Sequence, residues 1–185
     1  GETMKLMFVS DIHGSLYYCR LMQEIWQAEQ PDRLILLGDL LYHGPRNDLP
    51  RDYNPKGVIA ILNEMKDEIL CVRGNCDAEV DQMVLQFPIL ADYLMLMLKK
   101  RTCIVTHGHI YNKDKLPPMK KGDILLHGHT HLQALEDMGD YLYINPGSIS
   151  LPKGDDVNSY MIYEDGIFTI RDLEGRPIKS MTIFH

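Results

Sequence analysis

The sequence predicts an α/β protein in which two stacked β-sheets are flanked by helices. Strand-like and helical segments alternate in the first half of the 185-residue chain, which favours parallel strands connected by helices. The second half carries strand-like runs with few helices between them. Apolar residues make up 45% of the sequence, enough for the buried core of one domain over residues 1–185.

The first half predicts three strands and two helices. Ser15 is placed to cap the first helix, whose apolar residues recur at three- and four-residue spacing until Pro31 ends it. Asn54 precedes a proline at a first helical position, which opens the second helix. The apolar runs predict strands over residues 4–10, 33–37 and 69–73, and the polar segment 43–55 predicts a loop.

The second half predicts further strands separated by turns. Lys99-Lys100-Arg101 is a local basic cluster, which we interpret as a solvated turn between two strands. Asp165-Gly166 predicts a hairpin turn between two later strands. These strands are predicted over residues 93–98, 102–106, 124–127, 141–144, 159–163, 167–172 and 178–184.

Charge, hydropathy and cysteine content indicate which partners and which cellular compartment to expect. The formal net charge of −7 opposes extended binding to nucleic acid. No apolar run approaches the ~20 residues that cross a bilayer, and no secretory leader is recognised, so we expect a cytoplasmic protein without a membrane partner. The cysteines, at positions 19, 71, 76 and 103, form no C-x-x-C pair, which indicates reduced thiols. Residues 1–3, before Met4, are interpreted as a cloning remnant.

Polar side chains follow the predicted strands at the points where the strands end. In an open sheet, ligands bind beyond the carboxyl ends of the strands, so five loops are expected to bring these side chains together. Neighbouring glycines let the backbone turn sharply. The segments are Asp11-Ile12-His13, Gly38-Asp39, Gly74-Asn75-Cys76-Asp77, His107-Gly108-His109 and His127-Gly128-His129-Thr130-His131.

A set of oxygen and nitrogen donors within these segments predicts a metal site. The candidate ligands are Asp11, His13, Asp39, Asn75, His107, His129 and His131. Such donors suit divalent Mn, Fe, Zn or Ni and suit an iron–sulfur cluster poorly. The set is too large for one tetrahedral ion and suits two divalent ions that share a bridging carboxylate.

The order of these motifs resembles the calcineurin-like metallophosphoesterase superfamily, whose signature runs D-x-H, G-D, G-N-H-[DE], G-H and G-H-x-H. The resemblance spans Asp11 to His131 and implies a four-layer α/β/β/α sandwich. Within the superfamily, the small size and the segments His43-Gly44-Pro45-Arg46-Asn47 and Asn145-Pro146-Gly147-Ser148 are similar to the YfcE group of bacterial phosphodiesterases. For this group a homo-oligomer would be unsurprising.

The resemblance also implies how the ligands divide and what they do. One ion would take Asp11, His13, Asp39 and His131, and the other Asp39, Asn75, His107 and His129. Mn becomes the first choice of metal, in an enzyme that hydrolyses small phosphodiesters by in-line attack of a bridging hydroxide. Two divalent ions, two carboxylates and that hydroxide leave a charge of about +1, which weakly favours a singly charged diester over a dianionic monoester.

Cys76 is the departure from the superfamily pattern, which more often has a histidine that protonates the leaving oxygen. A thiol is a poorer proton donor near neutral pH, and a placed acid contributes roughly 10²–10⁴-fold. Cys76 is therefore read either as a weak catalytic residue or as a small packed one.

The remaining polar residues of the motifs receive less defined roles. His109 is predicted to contact substrate phosphate or to support the ligands, and His43 and Arg46 are predicted to enter the substrate cleft. His127 is interpreted as a satisfied core histidine inside a strand.

Other functions stay open beside the phosphodiesterase. A phosphomonoesterase would use the same site. A non-catalytic interaction module, as in the retromer subunit that looks like this fold with a degraded metal site, is disfavoured because every ligand position is filled. A nuclease is disfavoured by the acidic charge balance.

Overall fold

Two mixed β-sheets form the centre of the fold, which the computed structural model describes over residues 4–183. The helices are α1 (Leu16–Glu29), α2 (Pro55–Glu64) and the single-turn α3 (Glu79–Gln82), with a 3₁₀ turn at Lys66–Glu68. The strands are β1 (Lys5–Val9), β2 (Arg33–Leu36), β3 (Ile69–Cys71), β4 (Tyr93–Leu98), β5 (Arg101–Thr106), β6 (Ile124–Leu126), β7 (Gln133–Asp137), β8 (Leu142–Pro146), β9 (Ser159–Glu164), β10 (Ile167–Asp172) and β11 (Pro177–Thr182).

Each sheet contains a block of parallel strands. The first sheet has the order β11-β10-β9-β1-β2-β3, in which β1, β2 and β3 are parallel and β9 is antiparallel to β1. The second sheet has the order β4-β5-β6-β8-β7, in which β5, β6 and β8 are parallel. The carboxyl ends of these parallel strands lead into the loops that carry the predicted ligands.

Two apolar layers form the core, one between the helices and the first sheet and one between the two sheets. Helices α1 and α2 cover one face of the first sheet, where Met7 and Leu62 belong to one buried cluster. The other face packs on the second sheet, and Phe8 and Val105 meet in that inter-sheet core. Full burial of such a side chain contributes ~1.5–3 kcal/mol. The segment between β5 and β6 adds Met119 to a smaller apolar cluster on the far face of the second sheet.

The predicted class and most predicted elements are confirmed. Side chains of Ser15 and Asn54 cap α1 and α2, as expected. Lys99 and Lys100 form the turn between β4 and β5, with left-handed φ angles of 50° and 67°, whereas Arg101, predicted in the same turn, is the first residue of β5. Nowhere in residues 4–183 is a helix long and apolar enough to cross a membrane.

Two elements were missed, and two predictions lie partly or wholly outside the described residues. The missed elements are the edge strand β7 and the single-turn helix α3, which are too polar or too short to show a period. The strand predicted over 178–184 is β11, which ends at Thr182, and residue 184 lies outside the described range. Residues 1–3, the interpreted cloning remnant, also lie outside it.

Candidate metal centre

The predicted ligands converge at the carboxyl ends of parallel strands from both sheets. The first sheet contributes Asp11 and His13 after β1, Asp39 after β2 and Asn75 after β3, and the second contributes His107 after β5 and His129 and His131 after β6. Donor atoms within 4.8 Å of one another form a first subsite of Asp11, His13 and His131 and a second subsite of Asp39, His107 and His129. The division that the resemblance implied also placed Asp39 in the first subsite and Asn75 in the second.

The backbone at these ligands is strained. Left-handed φ angles occur at Asp11 (58°), His13 (51°), Asp39 (57°), His129 (68°) and His131 (60°). A non-glycine residue in this region costs on the order of 1–3 kcal/mol and persists only where the surroundings hold it. The surrounding hydrogen bonds must therefore impose this geometry, and such strain clusters at functional sites.

Two glycines let the turns after β2 and β3 approach each other. A Cβ on Gly38 would lie 2.5 Å from the backbone nitrogen of Gly74, and a Cβ on Gly74 would collide with the carboxylate of Asp39. The close approach brings Asp39 and Asn75 to the same imidazole: His107 Nε2 lies 3.1 Å from Asp39 Oδ2 and 3.0 Å from Asn75 Oδ1.

Three of the four ligand imidazoles are oriented by backbone carbonyls. The carbonyl oxygens lie 2.8 Å (Tyr42), 2.6 Å (Leu37) and 2.6 Å (Leu151) from the Nδ1 atoms of His13, His107 and His131, respectively. Because a carbonyl only accepts, each Nδ1 carries a proton, which leaves Nε2 as the atom that binds a metal when the ring is neutral. This is the arrangement typical of metal-ligating histidines.

The lone pairs face carboxylates and one another. His131 Nε2 lies 3.4 Å from Asp11 Oδ1 and 3.3 Å from His13 Nε2. Asp11 Oδ1 is buried without a hydrogen-bond partner. Buried acceptors that converge without donors are costly unless a cation lies among them. The residues present therefore fit divalent metal ions.

The pKa shifts also indicate a site that stabilises positive charge. Burial would raise the pKa of Asp11, but the adjacent rings of His13 and His131, whose Nε2 atoms lie 3.5 and 3.4 Å from Oδ1, outweigh it and hold the pKa well below its usual range. Burial would lower the pKa of His107, yet the hydrogen bond to Asp39 and the charges of both carboxylates raise it to about 9. The Asp11 carboxylate is thus anionic.

Asp77 supports the turn that carries Asp39, a role that was not predicted. Its carboxylate accepts the backbone N–H groups of Asp39 at 2.8 Å, Leu40 at 3.0 Å and Gly74 at 2.7 Å. Burial raises the pKa of Asp77 to about 6, against the lowering effect of the Leu40 N–H. The acid closing Gly74-Asn75-Cys76-Asp77 was the available signal, because it matches the last position of the superfamily motif.

A cleft of about 310 Å³ lies beside the ligands. Arg46 lines it, whereas His43 is not among the lining residues. The ring of His43 instead packs against Tyr42 and Tyr53, with centroid distances of 4.7 and 5.3 Å, so the predicted substrate contact of His43 is not seen. Lys153, on the loop after β8, lines the cleft and was missed because an exposed loop lysine carries no distinguishing pattern.

Cys76 lies in the wall of this cleft, and its sulfur is grouped with donor atoms of His13 and Asp39. Burial and the charges of Asp39 and Asp77 raise the pKa of the thiol to about 12. The thiol is therefore neutral at neutral pH and a weak proton donor.

Two further histidines flank the ligands. The ring of His109 is exposed, 5.4 Å from that of His107 and 6.1 Å from that of His129 between centroids. His127 is buried directly after β6, not inside it, and its Nδ1 lies 2.8 Å from the Gly128 carbonyl oxygen. Its Nε2 makes no hydrogen bond within the described chain, so the expected satisfied core histidine is only half satisfied.

Acceptor-rich loops at the ends of two stacked mixed sheets, beside an open polar cleft, define an α/β protein of the metallohydrolase class. The chain belongs to the calcineurin-like phosphoesterase superfamily, whose domain matches residues 4–165.

Known relatives cover nearly the whole chain. Phosphodiesterase YfcE of Escherichia coli K12 is 43% identical over 175 residues, which is 95% of each chain. The probable metallophosphoesterase YsnB of Bacillus subtilis 168 is 27% identical over 193 residues, or 96% of each chain. A solved structure of the E. coli phosphoesterase YfcE has a TM-score of 0.94 at 42% identity and covers 97% of this chain and 100% of that one. The predicted resemblance is confirmed.

Proposed function

We propose that this protein is a metal-dependent phosphodiesterase that hydrolyses small phosphodiesters. The observation that carries the proposal is the buried, unpartnered Asp11 Oδ1 among imidazole lone pairs beside an open cleft. The 43% identity to a phosphodiesterase, YfcE, supports a diester as the substrate.

The proposed cofactor is a pair of divalent ions. They would be held by Asp11, His13, Asp39, Asn75, His107, His129 and His131, with Asp39 shared between them. When bound, such a pair lowers the pKa of a bridging water and stabilises the attacking and leaving oxygens of an in-line displacement. Mn is proposed because the set includes carboxylate and amide oxygens, which suit Mn, although its imidazoles also suit Fe, Zn and Ni.

The side chains around the cleft supply the contacts for an anionic ester. Arg46 and Lys153 line the cleft from separate loops and present positive charge to it. The Asn75 amide nitrogen makes only a 3.7 Å contact to the sulfur of Cys76, so its N–H groups are available to a phosphate oxygen. His109 is not among the residues that line the cleft; it is exposed beside the second subsite, and a contact with the same phosphate is proposed for it from there.

The size of the cleft favours a small substrate. About 310 Å³ is at the lower end of the range of ligand pockets and suits a small ester. An extended nucleic acid would also meet the repulsion of a chain with net charge −7.

A metal-by-substrate screen tests the proposal. Chelator-treated protein is assayed with bis(p-nitrophenyl) phosphate and p-nitrophenyl phosphate, alone and with Mn, Zn, Ni or Mg. We expect no turnover without metal, the strongest recovery with Mn, and faster cleavage of the diester. Full turnover by protein shown to be metal-free would overturn the metal dependence, and faster cleavage of the monoester would make the protein a phosphomonoesterase.

A further inference from the structure

The ring of His129 is held differently from the other ligand imidazoles. Its Nδ1 lies 3.2 Å from His107 Nε2 and so faces the other ligands. In the other three rings, by contrast, Nδ1 points to a backbone carbonyl. Within the described chain, no backbone carbonyl accepts a hydrogen bond from the His129 ring. The orientation of this side chain therefore depends on the backbone of its own loop, which has a left-handed φ of 68° at His129.

Asn145, at the end of β8, fastens that loop. Its side chain is fully buried, and its Nδ2 donates to the Gly128 carbonyl at 3.0 Å and to Thr130 Oγ1 at 2.9 Å, on either side of His129. These two bonds use both hydrogens of the amide, and its Oδ1 accepts the N–H of Gly147 at 2.9 Å. Because the Gly128 carbonyl only accepts, the nitrogen of the amide must face this loop.

Asp11 and Ser10 hold the same loop through other contacts. The backbone N–H of His129 donates to Asp11 Oδ2 at 3.0 Å, and the hydroxyl of Ser10 donates to the same oxygen at 2.5 Å. A Cβ on Gly128 would collide with the Ser10 hydroxyl. Asp11 is itself a predicted ligand and Ser10 acts through it, whereas Asn145 bonds this loop directly and lies outside the ligand set.

We propose that Asn145 is a positioning residue for the second subsite, acting on His129 through the backbone of residues 128–130. The inference rests on the proposed function, because it takes the cluster to be a metal centre. His13 and His131 of the first subsite are oriented by the carbonyls of Tyr42 and Leu151. Loss of the Asn145 amide is therefore expected to affect the two subsites unequally.

The test is Mn²⁺ binding to chelator-treated protein, measured by calorimetric titration with the bound metal counted by elemental analysis. We expect the wild type to bind two ions. Asn145→Ala should retain one ion at near wild-type affinity and bind the other roughly 10–100-fold more weakly, as for other residues that orient ligands. Asn145→Asp keeps the size of the side chain but loses both donors, so it should weaken the same ion at least as much. Excess Mn²⁺ should restore turnover, because every ligand remains.

Two more variants separate positioning from folding. Asn63→Ala is the matched control: that amide also bonds one carbonyl, of Val84, and one N–H, of Gln86, but on α2, so both ions should bind normally. Thr130→Val removes one of the two acceptors of the Asn145 amide and should weaken Mn²⁺ binding at the same subsite by a smaller factor. This variant keeps the proposal testable if the Asn145 variants fail to fold.

The outcomes distinguish the two proposals. A wild type that binds no Mn²⁺ overturns the proposed function. If the wild type binds two ions and the Asn145 and Thr130 variants bind both with wild-type affinity, the positioning role is overturned. Equal weakening of both ions also overturns it, because the amide would then support the fold and not one subsite.

Discussion

Asp39 contacts groups from both subsites. Its Oδ2 lies 3.1 Å from His107 Nε2 and 3.5 Å from His13 Nε2, while its Oδ1 accepts the backbone N–H of Cys76 at 2.8 Å. A carboxylate between two sets of imidazoles is what a bridging ligand requires. The backbone N–H groups of Asp39, Leu40 and Gly74 donate to the carboxylate of Asp77, so the protein's own hydrogen bonds fix the turn that carries Asp39.

We expect Asp39→Asn to lower turnover by ~10³-fold or more while the fold persists, because several kcal/mol of charge stabilisation are lost and the shape is kept. The amide can still accept from Cys76, but it presents a donor where the metals need an anion. The measurement is Mn-dependent turnover together with the far-ultraviolet circular dichroism spectrum. Asp165→Asn, an exposed carboxylate paired with Lys99 at 2.8 Å, is the control and should be fully active. Near wild-type activity of Asp39→Asn would contradict the bridge.

Cys76 should make the reaction sensitive to the leaving group. A neutral thiol with a pKa of about 12 protonates a departing alkoxide poorly, so kcat/KM should fall steeply as the leaving group becomes more basic. Cys76→Ala should be mild. Cys76→His should raise the rate for poor leaving groups by up to ~10²-fold.

The measurement for Cys76 is kcat/KM over a series of aryl and alkyl diesters, for the wild type and both variants. A flat series in the wild type, combined with a large loss in Cys76→Ala, would show that the thiol is a working proton donor.

At the scale of elements, the parts predicted from the sequence are those with a local signal. Helices α1 and α2 have caps and apolar periods, and the ligand loops have motifs in a fixed order. Strand β7 has neither: Glu136 and Asp137 are exposed, and its pairing comes from the backbone of β8. The role of Asn145 was also out of reach, since it depends on the long-range register that lays β8 beside β6.

The approach of the turns after β2 and β3 gives a prediction for Gly74. Any Cβ there collides with the Asp39 carboxylate, so Gly74→Ala should displace Asp39 and weaken Mn²⁺ binding by at least ~10-fold. Gly139→Ala is the control: its Cβ meets nothing within 4 Å, so the variant bears only the strain of a φ of 89° and should bind Mn²⁺ normally. Calorimetric titration of both variants decides the matter. Normal Mn²⁺ binding by Gly74→Ala would show that the turns after β2 and β3 can move apart without weakening the metal site.

For the molecule as a whole, the centre lies where the two sheets meet. Asp11 and Asp39 come from loops of the first sheet, and His107, His129 and His131 come from loops of the second. Metal ions held by these residues would link the sheets by coordination, in addition to the apolar inter-sheet core. Because the unfolded chain cannot bring these loops together, binding energy should appear as folding stability.

We therefore expect Mn²⁺ to raise the melting temperature of the chelator-treated protein. At a free concentration 100 times the Kd, one ion adds about 2.7 kcal/mol. For a chain of 185 residues that corresponds to roughly 5–10 °C, since 1 kcal/mol shifts the midpoint by about 2–4 °C. Scanning calorimetry over a range of Mn²⁺ concentrations measures the shift, which should keep rising with concentration. Asp39→Asn should show a much smaller shift, whereas Asp165→Asn should match the wild type. A midpoint that stays constant while titration shows two bound ions would mean that the ions bind the unfolded chain equally well, and the centre would then not link the sheets.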